Sequence, residues 1–245
     1  MIAMIISAVV AAVQGIGGPS EERTADIECV YEYRTSDDKG REDVYSTILQ
    51  VGKRSAKFVD YSTFQLDSAR TSGASEDQVE AFRLREEKKA QYFDYAIFQN
   101  EPAGNMTVYG TIITDRYSYT EDSKAMKWTL ADDEKTICGY QCHKAECEYG
   151  GRKWTAWYSQ DIPVSYGPWK LCGLPGLILA AEDSDGANKF EAIILRNGAS
   201  AITPVSDKNI TTTTREKFVK AKNMFESDPM GNLPPESISE MSIHK

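Results

Sequence analysis

The chain has 245 residues, 41% of them hydrophobic and 27% charged, a composition that can bury a sizeable core and that argues for one domain. Its net charge is −9, with Lys and Arg interspersed among the acids rather than gathered into a stripe, so nucleic acid is excluded as the expected partner: phosphate binding needs a basic footprint.

Residues 1–18, MIAMIISAVVAAVQGIGG, are uncharged and apolar at first and then turn to small residues, the pattern of a secretory signal peptide. No Lys or Arg precedes the run. It falls short of the ~20 apolar residues a bilayer span needs, so an integral membrane protein is not expected. No Cys follows it at a lipoprotein acylation position, and a soluble exported form, periplasmic or envelope-associated, is expected after cleavage.

From Asp26 to Thr35 the apolar Ile27, Cys29, Tyr31 and Tyr33 alternate with Glu28 and Glu32, a period of two that predicts a half-buried strand. Similar runs follow at Val44 to Val51, Ala56 to Tyr61, Tyr92 to Phe98, Asn105 to Thr114, Met126 to Leu130, Gly139 to Tyr149, Lys153 to Ser159, Leu177 to Ala181 and Phe190 to Leu195. Short polar turns such as DDKG, YGGR and DSDGAN join most of them, which predicts an antiparallel meander.

Two segments break the pattern. Residues 75–93 open with Ser75 and carry Gln78 three positions later, a capping-box arrangement, and Val79, Phe82 and Leu84 form part of an apolar stripe. Residues 213–229 place Phe218, Ala221, Met224 and Phe225 at helical spacing before Asp228-Pro229. Each predicted helix has a single apolar face and is expected to lie on the sheet. Residues 231–245, rich in Pro and Ser, read as a disordered tail, leaving a single domain over 24–230. The expected fold is mainly β (α+β): one antiparallel sheet of about nine to eleven strands, strongly curved or half-closed, with two packing helices. In layout alone it resembles the lipoprotein-carrier half-barrel.

Chemistry is sparse. His143 sits in mid-strand and is expected at the surface, while His244 lies in the tail. Neither a phosphate-cradling Gly-rich loop nor a helical His-Glu-x-x-His motif occurs, so no catalytic residue and no cofactor are assigned. Cys138, Cys142, His143 and Cys147 crowd one stretch, but a strand points Cys142 and His143 to opposite faces, and no metal is expected. Asp37-Asp38, Asp132-Asp133 and Glu182-Asp183 read as solvated turn carboxylates. In an oxidising compartment a disulfide is expected instead: Cys138 or Cys142 to Cys172, or Cys142 to Cys147, with Cys29 free.

The unusual feature is aromatic. Trp154, Trp157, Tyr158, Tyr166 and Trp169 stand just before the apolar turn Gly173-Leu174-Pro175-Gly176-Leu177-Ile178-Leu179. A cluster of this kind builds a core or lines a pocket. Pro175-Gly176 is expected as the corner of a type II turn, with Gly at positive φ.

Ile137 to Ala145, Gly151-Arg152, Ala156 to Pro163, Gly167 to Lys170 and Gly173 to Leu179 resemble, in order and spacing, the signature of the GLPGLI family of exported envelope proteins. The resemblance implies a signal peptide and residence in the envelope of a double-membraned bacterium; it brings no activity and no catalytic residues. The expected function is a non-catalytic envelope protein that holds a lipid-like or peptide ligand in a curved-sheet pocket lined by Trp154, Trp157, Tyr158, Trp169 and Leu174. The alternative is an adaptor that docks another envelope protein through the same surface, and a hydrolase with a carboxylate site stands third. Leu174, Leu177 and Ile178 are expected to plug the protein's own sheet.

Overall fold

In the computed structural model, residues 23–37, 39–86, 93–205 and 209–228 are described. The expected signal peptide at 1–18, the tail at 231–245 and the end of the first predicted helix lie outside them.

The period-two runs fold as strands. β1 (Ile27–Ser36), β2 (Glu42–Val51), β3 (Ala56–Asp60), β4 (Tyr95–Gln99), β5 (Asn105–Ile112) and β6 (Asp115–Asp122) form one meander. β7 (Thr129–Ile137), β8 (Tyr140–Tyr149), β9 (Arg152–Ser159), β10 (Leu177–Asp183) and β11 (Asn188–Asn197) form a second. β1 joins them by pairing antiparallel with both β2 and β11, from Ile27 opposite Asn197 to Thr35 opposite Asn188. A short β12 (Ile210–Thr212) adds to β6 in parallel, giving one open, mostly antiparallel twelve-stranded sheet with β12 at one edge and β7 at the other. The expected count fell short because β6 and β12 were not anticipated.

The alternation in β1 decides which side is which. Cys29 and Tyr31 point into the main core together with Leu49, Phe58, Ile97, Met106, Val108 and Tyr119, while Val30 and Ile48 point to a smaller core on the other face. On that second face lies α1 (Tyr61–Thr71), capped by Asp60, whose carboxylate accepts from the Ser62 N–H at 2.8 Å. Phe64 is its anchor.

Three helices replace the two expected. α1 went unread because one buried aromatic and a buried Lys57–Asp67 ion pair hold it, and neither produces a helical apolar stripe. α2 (Glu76–Glu86) starts at the anticipated capping box: the Gln78 side chain accepts from the Ser75 N–H at 3.0 Å, and Ser75 Oγ accepts from the Gln78 N–H. It buries no residue and rests on α1 rather than on the sheet, a correction to the expected sheet packing. α3 (Arg215–Ser227) does lie on the sheet, over β5 and β6, with Phe218 as its buried residue.

The disulfide expectation is not met, and all five cysteines are free thiols. Cys138 occupies the β7–β8 turn at φ 50° instead of the strand, with its sulfur 3.2 Å from the Ala192 carbonyl oxygen. Cys142 and Cys147 are five residues apart on β8 and so leave it on opposite faces. The Cys172 sulfur faces the Ser123 carbonyl.

Candidate functional site

The signature turn is a structural device first. Between β9 and β10 the chain makes a loop closed by its own backbone: the N–H of Gly173 donates to Ser165, that of Leu177 to Ile162 and that of Ile178 to Tyr166, all at about 3 Å. Leu174, Leu177, Ile178 and Leu179 are buried to 1% exposure or less, each worth on the order of 1.5–3 kcal/mol of apolar burial. Gly176 does not take the expected positive φ; Gly173 does, at 94°. Gly176 is required for another reason, because a methyl group there would overlap the Ser159 carbonyl. At Gly167 a methyl would meet Ile178 Cβ and the Leu171 oxygen at 2.7 Å.

Side chains from elsewhere tie this loop to the sheet. Gln99, fully buried at the end of β4, donates from Nε2 to the carbonyls of Gly167 and Trp169, both at 2.7 Å. The Tyr31 hydroxyl donates to the Ile178 carbonyl at 2.7 Å, and Trp128 Nε1 to Cys172 at 2.8 Å. None of these three carries a sequence signal, since each acts across strands far apart in the chain.

So held, Trp169 sits at φ 52°, in the left-handed region that a bulky side chain rarely adopts. Its ring packs at 5.5 Å from that of Trp154, which continues to Phe190 at 6.4 Å, and Phe190 stacks on Tyr33 at 4.3 Å. These rings, with Tyr119 and Phe93, wall a cavity of about 390 Å³ on the main-core face of the sheet. α3 closes one side of it with Phe218, Val219 and Lys222.

Charge gathers at the same place. Lys170 is 4% exposed; its Nζ pairs with Glu121, lies 2.9 Å from the Tyr119 hydroxyl and stands 4.9 Å and 5.3 Å from the ring centres of Tyr119 and Trp169. Burial holds its ammonium below the usual lysine value, with Glu121 acting the other way. Glu121 is shared: the Tyr149 hydroxyl donates to it at 3.1 Å and Arg215 approaches to 3.4 Å. Arg152, also on the cavity wall, pairs at 2.7 Å with the buried Asp183 carboxylate.

Of the five residues expected to line a pocket, the structure brings Trp154 and Trp169 to this cavity. Leu174 and Tyr158 are buried in the core instead. Trp157 lies on the opposite face of β9 from Trp154 and Tyr158's burial pattern, under the Lys135 ammonium at 4.4 Å. Lys170, Arg152 and Tyr119 were missed: Lys170 is visible in the sequence beside Trp169, but nothing local says that it points inward. His143 lies at 3.3 Å from Glu134, and among the described residues no group of three or more His, Cys, Asp or Glu side chains is placed to hold a metal ion.

A family model described as a protein of unknown function (Porph_ging) matches residues 150–180, which contain both tryptophans of the cavity and the signature turn. No curated protein matches the chain. Two crystal forms of PNGF-II share its fold, with TM-scores of 0.56 and 0.55 at 15% identity, covering 81% and 82% of this chain. The chain spans about a third of PNGF-II, 33% and 32% in the two forms, and at this identity the likeness is one of fold alone. A LolA superfamily protein from Nitrosomonas europaea aligns over 75% of this chain and 89% of its own at TM-score 0.30 and 10% identity, too loose a superposition to bear on function. Among the described residues no helix is long and apolar enough to cross a membrane.

Proposed function

We propose that the chain is a non-catalytic binding protein of the GLPGLI type, exported to the cell envelope, that holds an apolar or amphiphilic ligand between its sheet and α3. The observation that carries this reading is Trp169. A bulky residue in the left-handed region costs roughly 1–2 kcal/mol, and strain of that kind persists where the surroundings over-determine it, commonly at ligand sites. Here the strain places an indole on the wall of a cavity whose volume falls in the range of small-ligand sites, about 300–1,000 Å³. The carboxylate on the cavity wall, Glu226, lies 3.9 Å from the Lys222 ammonium, and Glu121 and Asp183 are engaged by the wall residues Lys170, Arg215 and Arg152, which supports holding over hydrolysis.

Envelope extract passed over wild type and over Trp169→Ala, with bound species identified by native mass spectrometry, tests the reading. A lipid-like or peptide ligand that wild type retains and the variant loses is the expected outcome. A partner protein lost in its place selects the adaptor, and retention of nothing by wild type overturns ligand binding.

A further inference from the structure

On the outer rim of the signature loop, away from the aromatic cavity, lies an open cleft of about 650 Å³. We infer that it is a second binding site, for a compact polyanion bearing two or more carboxylate or phosphate groups. Three lysines line it from different segments: Lys53 in the β2–β3 turn, Lys124 in a short 3-10 helix after β6, and Lys127 just beyond. No acidic residue lines it, and none of the three lysines has a carboxylate within ion-pair distance among the described residues.

In a chain with 37 acids against 28 bases, surface charge pairing by default brings carboxylates to such a cluster. Here two neighbouring acids are turned to other partners and do not line the cleft: Asp122 caps the 3-10 helix by accepting from the Lys124 N–H at 2.8 Å, and Glu101 pairs with Arg23. The three ammonium groups therefore raise a local positive potential on an otherwise acidic molecule. Lysine recognises charge without demanding the planar fork geometry that arginine imposes, so the site selects for the number of anionic groups more than for their shape.

The cleft is also built to keep its form. The Tyr166 hydroxyl donates to the Arg54 carbonyl at 2.8 Å, Trp128 to Cys172, and Asn100 Nδ2 to Arg54 at 2.6 Å, so the β2–β3 turn, the signature loop and the end of β4 form one frame. Ser165 on its wall adds a hydroxyl with no partner among the described residues. The signature loop thus has two sides: the inward one fills the core, and the outward one supplies Pro163 to Tyr166 and Cys172-Gly173 to the cleft.

The test is calorimetric titration of the full chain at low ionic strength with pyrophosphate and with citrate, against acetate as a monoanion. Both polyanions are expected to bind at least about tenfold more tightly than acetate, and more weakly as salt is added. The variant Lys53→Gln/Lys124→Gln/Lys127→Gln is expected to lose at least about tenfold in affinity with an unchanged melting temperature, since its side chains are exposed. Lys53→Gln and Lys127→Gln singly keep the test open should the triple variant not fold, each expected to lose about threefold. Trp169→Ala is expected to bind the polyanions like wild type. No preference over acetate, or undiminished affinity in the lysine variants, overturns the inference.

Discussion

Gly176 and Gly173 stand three residues apart in one motif, yet the fold needs them for different reasons. At Gly173 the backbone takes φ 94°, and a side chain there meets no neighbour closer than Trp128 Nε1 at 3.8 Å, so the cost of Ala is conformational. At Gly176 the backbone angle is ordinary and the obstacle is the Ser159 main chain, which cannot rotate out of the way as a side chain would. Gly173→Ala is therefore expected to destabilise by about 1–2 kcal/mol, the cost of a left-handed non-glycine residue. Gly176→Ala is expected to cost more, about 2–4 kcal/mol, since β9 and β10 must separate to admit the methyl group. Urea unfolding midpoints of the two variants check the order, and equal losses would show that the approach to Ser159 relaxes freely.

Of the two helices that lie on the sheet, α3 is held by a single buried side chain. Phe218 is its buried anchor, with ring contacts to Tyr119 at 5.3 Å, Tyr117 at 6.1 Å and Tyr95 at 6.3 Å. The ring rests on Gly110, where any side chain would strike it: the Phe218 Cζ atom lies 2.6 Å from the position of an added Cβ. The rest of the attachment is polar, chiefly Lys222 to the Thr111 carbonyl and Arg215 to Glu121. Truncating a buried Phe ordinarily costs about 3–5 kcal/mol, but the loss cannot exceed the free energy that docks the helix. Phe218→Ala is expected to release α3 while β1, β2 and β11 keep their protection, measured by amide hydrogen exchange. Protection lost uniformly over the whole sheet would make α3 part of the cooperative core rather than a cover over the cavity.

At the scale of the molecule the sheet buries most of the sulfur chemistry. Burial pushes the thiols of Cys29 and Cys172 up to about 12 and those of Cys142 and Cys147 up to about 11. Since the thiolate is the reactive form, a raised value and a closed environment suppress reaction together at neutral pH. Cys138, in the β7–β8 turn, is the exposed one. A thiol reagent such as DTNB added to the reduced native protein is expected to titrate one group quickly and the remaining four only after denaturant. A total of three thiols after denaturation of an oxidised preparation would reveal a bridge, and the expected arrangement of free thiols would fail.

By itself the sequence determined much of the strand pattern, because alternation of apolar and polar residues in β1, β5, β8 and β9 is a local property of a sheet with one main core face. It also determined the α2 capping box, the amphipathic α3 and the inward burial of Leu174, Leu177 and Ile178, each written within a few neighbouring residues. Tertiary structure alone decided the rest. Only pairing of β1 with β11, residues far apart in the chain, sets Phe190 beside Tyr33, only the β9–β10–β11 order brings Trp154 to Phe190, and only the Gln99 and Tyr31 hydrogen bonds fix the loop that turns Lys170 inward toward Glu121. The two-residue period of β9 puts Trp154 and Trp157, three residues apart, on opposite faces, but only the packing of the sheet decides which of the two meets the cavity, and it places the thiols where no bridge forms. Contacts between distant strands are set by the register of the whole sheet, and no single segment contains that register.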